Sequence, residues 1–138
     1  MMGTTDLHRG TEGPDPLVVG PLTRTDFVRY QGASGDMNPV HHDEAFARDA
    51  GFDAPLGIGM FTAGLMNTYA VDWLGAENVR ATRVRWKAPV FPGDTLVCSG
   101  KVDRVYEQDV RHHVDIEVVC NKDSGENAAI AWMTFVID

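Results

Sequence analysis

Asp36 and His41 stand five positions apart in the string Gly32-Ala33-Ser34-Gly35-Asp36-Met37-Asn38-Pro39-Val40-His41-His42. Two glycines and an Asn-Pro step make this loop chemistry, with little propensity for regular structure. Pro39 restrains the turn that would bring His41 back toward Asp36. A carboxylate and an imidazole so placed can move protons to and from a water molecule. Read alone, Asp36 equally fits a residue that orders a Gly-rich turn, and Asn38 reads as a turn residue. Asp36, His41, His42 and Asp43 are also metal-ligand types. Neighbouring histidines point apart in most backbone conformations, however, and no further His, Cys or Glu motif stands at ligand spacing, so no metal is expected. Cys98 and Cys120 lack C-x-x-C spacing and read as buried structural thiols. His112 and His113 read as structural or surface residues of a strand, and His8 as part of the N-terminal arm.

Several elements must position that loop. Residues 1–16 are rich in Gly, Thr, Asp and Pro without periodicity and read as a flexible arm, followed by one domain over 17–138. A helix capped near Thr23–Thr25 should end near Gly32. Asp43 can cap a short helix, Glu44 to Ala50, closed by Gly51. The segment Gly59–Leu74 is apolar on nearly every side and should be a helix buried by its neighbours. Gly59, at its start, is a candidate donor for developing negative charge. Amides at a helix N-terminus lack intrahelical partners, and glycine lets a ligand approach closely. The pattern then changes to alternation, predicting strands over Val79–Val90, Asp94–Tyr106, Val110–Asn121 and Ala128–Ile137. Four strands after one buried helix suggest an α+β architecture, an antiparallel sheet curled around that helix.

The loop Tyr30–His41, with Asp43 and Ala47, resembles the MaoC-like (R)-specific enoyl-CoA hydratase/dehydratase family of hot-dog proteins. So do Ala54-Pro55-Leu56-Gly57-Ile58-Gly59-Met60-Phe61 and Ala88-Pro89-Val90-Phe91-Pro92-Gly93-Asp94, and the likeness covers roughly residues 20–105. The resemblance implies a hot-dog fold and reversible hydration of trans-2-enoyl thioesters to (R)-3-hydroxyacyl thioesters. In it Asp36 and His41 hold the reacting water and Gly59 forms the oxyanion hole. Ser34, Asn38 and Asn67 would support the site, with Ile58 and Met60 against the substrate. Two positions depart from the family pattern: Ile58 replaces a common His, and Asn67 stands where a Ser near the catalytic Asp is usual. Asn67 can bond a carboxylate or satisfy a helix carbonyl. The resemblance implies no metal or redox cofactor, coenzyme A or an acyl-carrier arm being part of the substrate.

Arg83, Arg85 and Lys87 alternate with Val84, Trp86 and Ala88, with Arg80 upstream. They form a solvated face or a stripe that binds the phosphates of such a handle. A net charge of -8 argues against nucleic acid and anionic membranes as partners. No secretory pattern opens the chain, and Ile58–Leu74 is interrupted by Asn67 and Asp72, so a cytoplasmic protein is expected. The exposed sheet edge of one hot-dog domain leads us to expect at least a dimer, of itself or with another hot-dog chain. Four readings stay open: a self-sufficient hydratase, the catalytic subunit of a heteromeric hydratase or dehydratase, a hot-dog thioesterase, and a non-catalytic acyl-thioester binding module.

Overall fold

A computed structural model describes residues 6–138. The first helix, α1 (Arg24–Ser34), begins at a capping box: the Thr23 hydroxyl accepts from the Asp26 amide, while the Asp26 carboxylate accepts from the Thr23 N–H. Hydrogen bonds donated to that carboxylate by the Thr23 amide and then by the Thr23 hydroxyl hold it below its ordinary value. The helix runs past Gly32, where it was expected to end, and stops at Gly35, whose φ of 78° is left-handed. That conformation is nearly free for glycine, and it turns the chain into the loop carrying Asp36. Asp43 caps α2 (Glu44–Asp49) by accepting from the Phe46 amide.

The buried helix is found as predicted, α3 spanning Gly59–Leu74. Met66 and Ala70 are wholly buried, and Thr62, Ala63, Tyr69, Trp73 and Leu74 nearly so. Removing a large side chain from such a position, as in Met66→Ala, costs about 2–5 kcal/mol.

Five strands form one sheet: β1 (Leu17–Val19), β2 (Val79–Trp86), β3 (Leu96–Gln108), β4 (Arg111–Lys122) and β5 (Asn127–Ile137). Their order is β1-β3-β4-β5-β2, with every pair antiparallel. Helix α3 packs on all four long strands, which is the hot-dog arrangement. Cys98 and Cys120 face each other across β3 and β4, both buried and unpaired by a disulfide. A hydrogen bond with Cys120, then burial, pushes the Cys98 thiol up.

The strands depart from expectation at several points. β2 ends at Trp86 because the Lys87 and Ala88 amides both turn to the Ala128 carbonyl, and Pro89 has no N–H to continue a ladder. β3 starts at Leu96, since the Asp94 carboxylate is occupied in a turn, accepting from the Phe91 amide. β1 was not foreseen, for three residues make no period.

The expectation of a flexible arm needs correcting over residues 6–16. Gly10 and Gly13 donate to the Val102 and Gly100 carbonyls, both at 2.8 Å, and Glu12 bridges to Lys101. Leu7 joins the core, and Pro14 accepts from the Tyr69 hydroxyl at 2.8 Å. Backbone pairing with an open sheet edge holds the segment where side-chain periodicity shows nothing. Residues 1–5 of the expected arm lie outside the described residues.

Candidate active site

The loop after α1 is built from short polar side chains bonding their own backbone. The Ser34 hydroxyl accepts from the Asp36 amide at 3.2 Å, and Asp36 Oδ1 accepts from the Asn38 amide at 3.2 Å. Asn38 Oδ1 then accepts from the Val40 amide at 3.1 Å and caps a short 3-10 turn, Pro39–His41. Such local bonds are the usual role of Asp, Asn and Ser in turns. Ser34 and Asn38 thus shape the loop, and they leave Asp36 Oδ2 free.

The 3-10 turn presents His41, which is 8% exposed. Its Nδ1 lies 2.8 Å from the Leu56 carbonyl oxygen. A carbonyl only accepts, so Nδ1 carries the hydrogen and Nε2 of the neutral ring carries a lone pair. That Nε2 lies 3.8 Å from Asp36 Oδ2. The gap is too wide for a direct hydrogen bond and suits a bridging water that donates to both. His42 points elsewhere, its Nδ1 3.0 Å from Gln31 Oε1.

His41 forms one wall of a cleft of about 360 Å³, lined also by Gly59, Thr62, Trp86, Lys87 and Val90. Gly59 is the first residue of α3, and no side chain caps that helix end. Its amide is therefore an open donor at the positive end of the helix. Trp86 Nε1 donates to the Gly59 carbonyl at 2.8 Å, and a Cβ at position 59 would stand 3.0 Å from that nitrogen. The indole thus pins the helix start, and a Cβ at position 59 would have to push it aside by a few tenths of an ångström.

The structure brings Asp36, His41 and the Gly59 helix start into one neighbourhood and disperses other candidates. Asn67 does not serve the carboxylate: its Nδ2 donates to the Ala63 carbonyl at 2.8 Å and its Oδ1 accepts from the Thr82 hydroxyl at 3.2 Å. This is the carbonyl-satisfying role, with β2 tied to α3 in addition. Ile58 is 2% exposed and belongs to the core rather than the cleft, while Met60 is 58% exposed outside it. The basic stripe divides by strand alternation. Thr82, Val84 and Trp86 face α3, so Arg83 and Arg85 face away, and the Arg83 guanidinium lies 4.9 Å above the Trp132 ring. Lys87, beyond the strand end, lines the cleft.

Sequence reasoning missed the Leu56 carbonyl, Thr62 and Trp86. Thr62 had a signal: a hydroxyl one turn after Gly59 in an apolar helix shares the face of that glycine. The other two become visible only when residues distant in the chain meet.

A family model described as MaoC like domain matches residues 10–124. The 3-hydroxyacyl-thioester dehydratase Y of Mycobacterium tuberculosis is 40% identical over 87 residues, which is 60% of this chain and 30% of that protein. The chain therefore spans less than a third of the length of that relative. A MaoC-like dehydratase from Rhodospirillum rubrum superposes with a TM-score of 0.86 at 22% identity, covering 99% of this chain and 97% of that one. A chain of the ChsH1-ChsH2 complex from Mycobacterium tuberculosis gives 0.81 at 24% identity, covering 94% and 98%. At these identities the two structures show the fold.

Proposed function

This chain belongs to the MaoC-like domain family, and from that premise we propose that it is a hydratase/dehydratase acting on thioester-linked 2-enoyl and 3-hydroxyacyl groups. The observation that carries the reading is the juxtaposition of Asp36 Oδ2 and His41 Nε2 at 3.8 Å, beside the uncapped start of α3. In the hydration direction a water between the two gives its oxygen to C3 of the enoyl group and its proton to His41 Nε2. The electron pair of the C2=C3 bond moves onto the thioester oxygen, where the Gly59 amide donates. Asp36 stabilises the imidazolium, which returns the proton to C2 as the thioester carbonyl re-forms. Oxygen and proton come from one side of the substrate, so the addition is syn. The (R)-3-hydroxyacyl product is the stereochemistry we assign. Addition of water is redox-neutral and His41, its charged form stabilised by Asp36, supplies both proton transfers, so the reaction draws on no metal or redox cofactor. We assign the phosphates of coenzyme A or of a carrier arm to the mouth beside Lys87. We assign the packed residues 6–138 to one hot-dog domain that works beside a second such chain, a copy of itself or another protein.

The test is loss of enoyl absorbance with trans-2-enoyl-CoA substrates of short, medium and bulky acyl groups, with chiral analysis of the product. Asp36→Asn and His41→Ala should each lower turnover by roughly 10²–10⁴-fold while circular dichroism is unchanged. A folded wild type that turns over none of the substrates, alone or with a partner chain, would remove the reading. Release of free thiol instead of hydration would replace it with a thioesterase.

A further inference from the structure

Gln31 is the least exposed polar side chain of the described residues, at 2%. It lies in the last turn of α1, and all of its bonding capacity goes to one segment. Its backbone carbonyl accepts from the Gly35 amide at 2.8 Å, which closes the helix. Its Nε2 donates to the Asp36 carbonyl at 2.9 Å and to the Asn38 carbonyl at 3.1 Å. Its Oε1 faces His42 Nδ1 at 3.0 Å. The orientation of the amide is not arbitrary: two carbonyls can only accept, so the NH₂ group must face them and Oε1 must face the histidine. His42 Nδ1 then carries a hydrogen.

We infer that Gln31 is a positioning residue for the proposed hydration, a buried clamp that sets the Asp36–Met37 and Asn38–Pro39 peptide planes and so aims the Asp36 carboxylate at His41. This rests on the reading of Asp36 and His41 given above. The physical need is plain. The loop's own bonds, from Ser34, Asp36 and Asn38, are short-range and partly solvent-exposed, and they leave the loop as a whole free to rock about Gly35. Gln31 ties that loop to a rigid helix at two carbonyls and, through His42, at its far end. Asp36 Oδ1 is held by the Asn38 amide, and that N–H lies on the Met37–Asn38 peptide between the two clamped carbonyls. Holding both carbonyls therefore also restrains the rotation of the carboxylate and its separation from His41 Nε2. Nothing about a glutamine at this position in the sequence announces such a role, since neither bonded carbonyl belongs to a side chain.

The experiment is Gln31→Leu, which keeps the bulk and removes every donor, and Gln31→Glu, which keeps the shape and sets a carboxyl against two carbonyls. Each is read by enoyl-CoA kinetics and by amide hydrogen exchange. Both variants should exchange the Asn38, Val40, His41 and His42 amides at least about tenfold faster, while those of β3 to β5 stay within about twofold. Turnover should fall roughly 10–10²-fold with KM little changed, the usual scale for slight misplacement of a catalytic group. In an Asp36→Asn background the Gln31→Leu effect on residual turnover should largely vanish, because it acts through that carboxylate. A merely structural role would speed exchange throughout the protein and lower turnover equally in both backgrounds, and that result would overturn the inference. So would unchanged exchange at residues 38–42. A wild type without hydratase activity would sink the proposed function, while the exchange pattern would still decide the clamp.

Discussion

Lys87 and Arg83 carry the same charge four positions apart, yet their surroundings give them different duties. Lys87 lines the cleft beside His41, whereas Arg83 lies over Trp132 on the other face of the sheet. An anionic handle on a thioester bound in that cleft meets Lys87 and not Arg83. Lys87→Glu should raise KM for an enoyl-CoA roughly tenfold with turnover little altered, and Arg83→Glu should leave both constants within about twofold. Steady-state kinetics at low ionic strength make the comparison, and the opposite ranking would place the handle on the convex face. His41 makes the same point about context. The Leu56 carbonyl alone decides which ring nitrogen faces Asp36, and a lone pair at Nε2 is what lets the histidine take a proton from water rather than only give one.

Among the elements, the β3–β4 hairpin holds a local conflict. Its two turn residues, Asp109 and Val110, have φ of 51° and 62°. Such left-handed pairs close a two-residue hairpin with the correct twist, and Asp tolerates the conformation. A β-branched residue does not, and Val110 is 91% exposed with nothing to compensate. Val110→Gly should therefore stabilise the protein by about 1 kcal/mol, seen as a higher urea midpoint with an unchanged slope. A lower midpoint would mean that valine makes a contact there which the isolated chain lacks. By contrast α3 is consistent at every level. Its apolar surface, its burial against four strands and its glycine start all point to one position, and that consistency makes its N-terminus a dependable donor.

The molecule as a whole leaves β2 paired on one side only, at the end of the sheet order. Trp86 at its end and Met60, next to the Gly59 that Trp86 bonds, are large apolar side chains 48% and 58% exposed. An eight-residue unpaired edge next to exposed apolar groups is a site for strand pairing unless something covers it. Sedimentation at micromolar concentration should give about twice the 15.1 kDa of one chain. A single-chain mass throughout would discard self-association and direct the search to a different hot-dog partner. Among the described residues no helix is long and apolar enough to cross a membrane.

The sequence by itself determined what depends on neighbours along the chain. Hydrophobic period marked α3 and the four long strands, Thr23 and Asp43 marked helix starts, and the Gly-Asp-x-Asn-Pro-x-His string marked the candidate pair Asp36 and His41. These are local because propensity, capping and turn geometry act within a few residues. Tertiary structure alone decided the rest. The docking of residues 6–16, the tautomer of His41, the pinning of Gly59 by Trp86 and the duty of Asn67 each depend on a backbone carbonyl, amide or ring brought from elsewhere in the chain. Every residue carries the same backbone donor and acceptor, so no residue type signals which of them will meet a given side chain. That choice belongs to the packed arrangement, where a buried polar group must find a partner or remain unsatisfied.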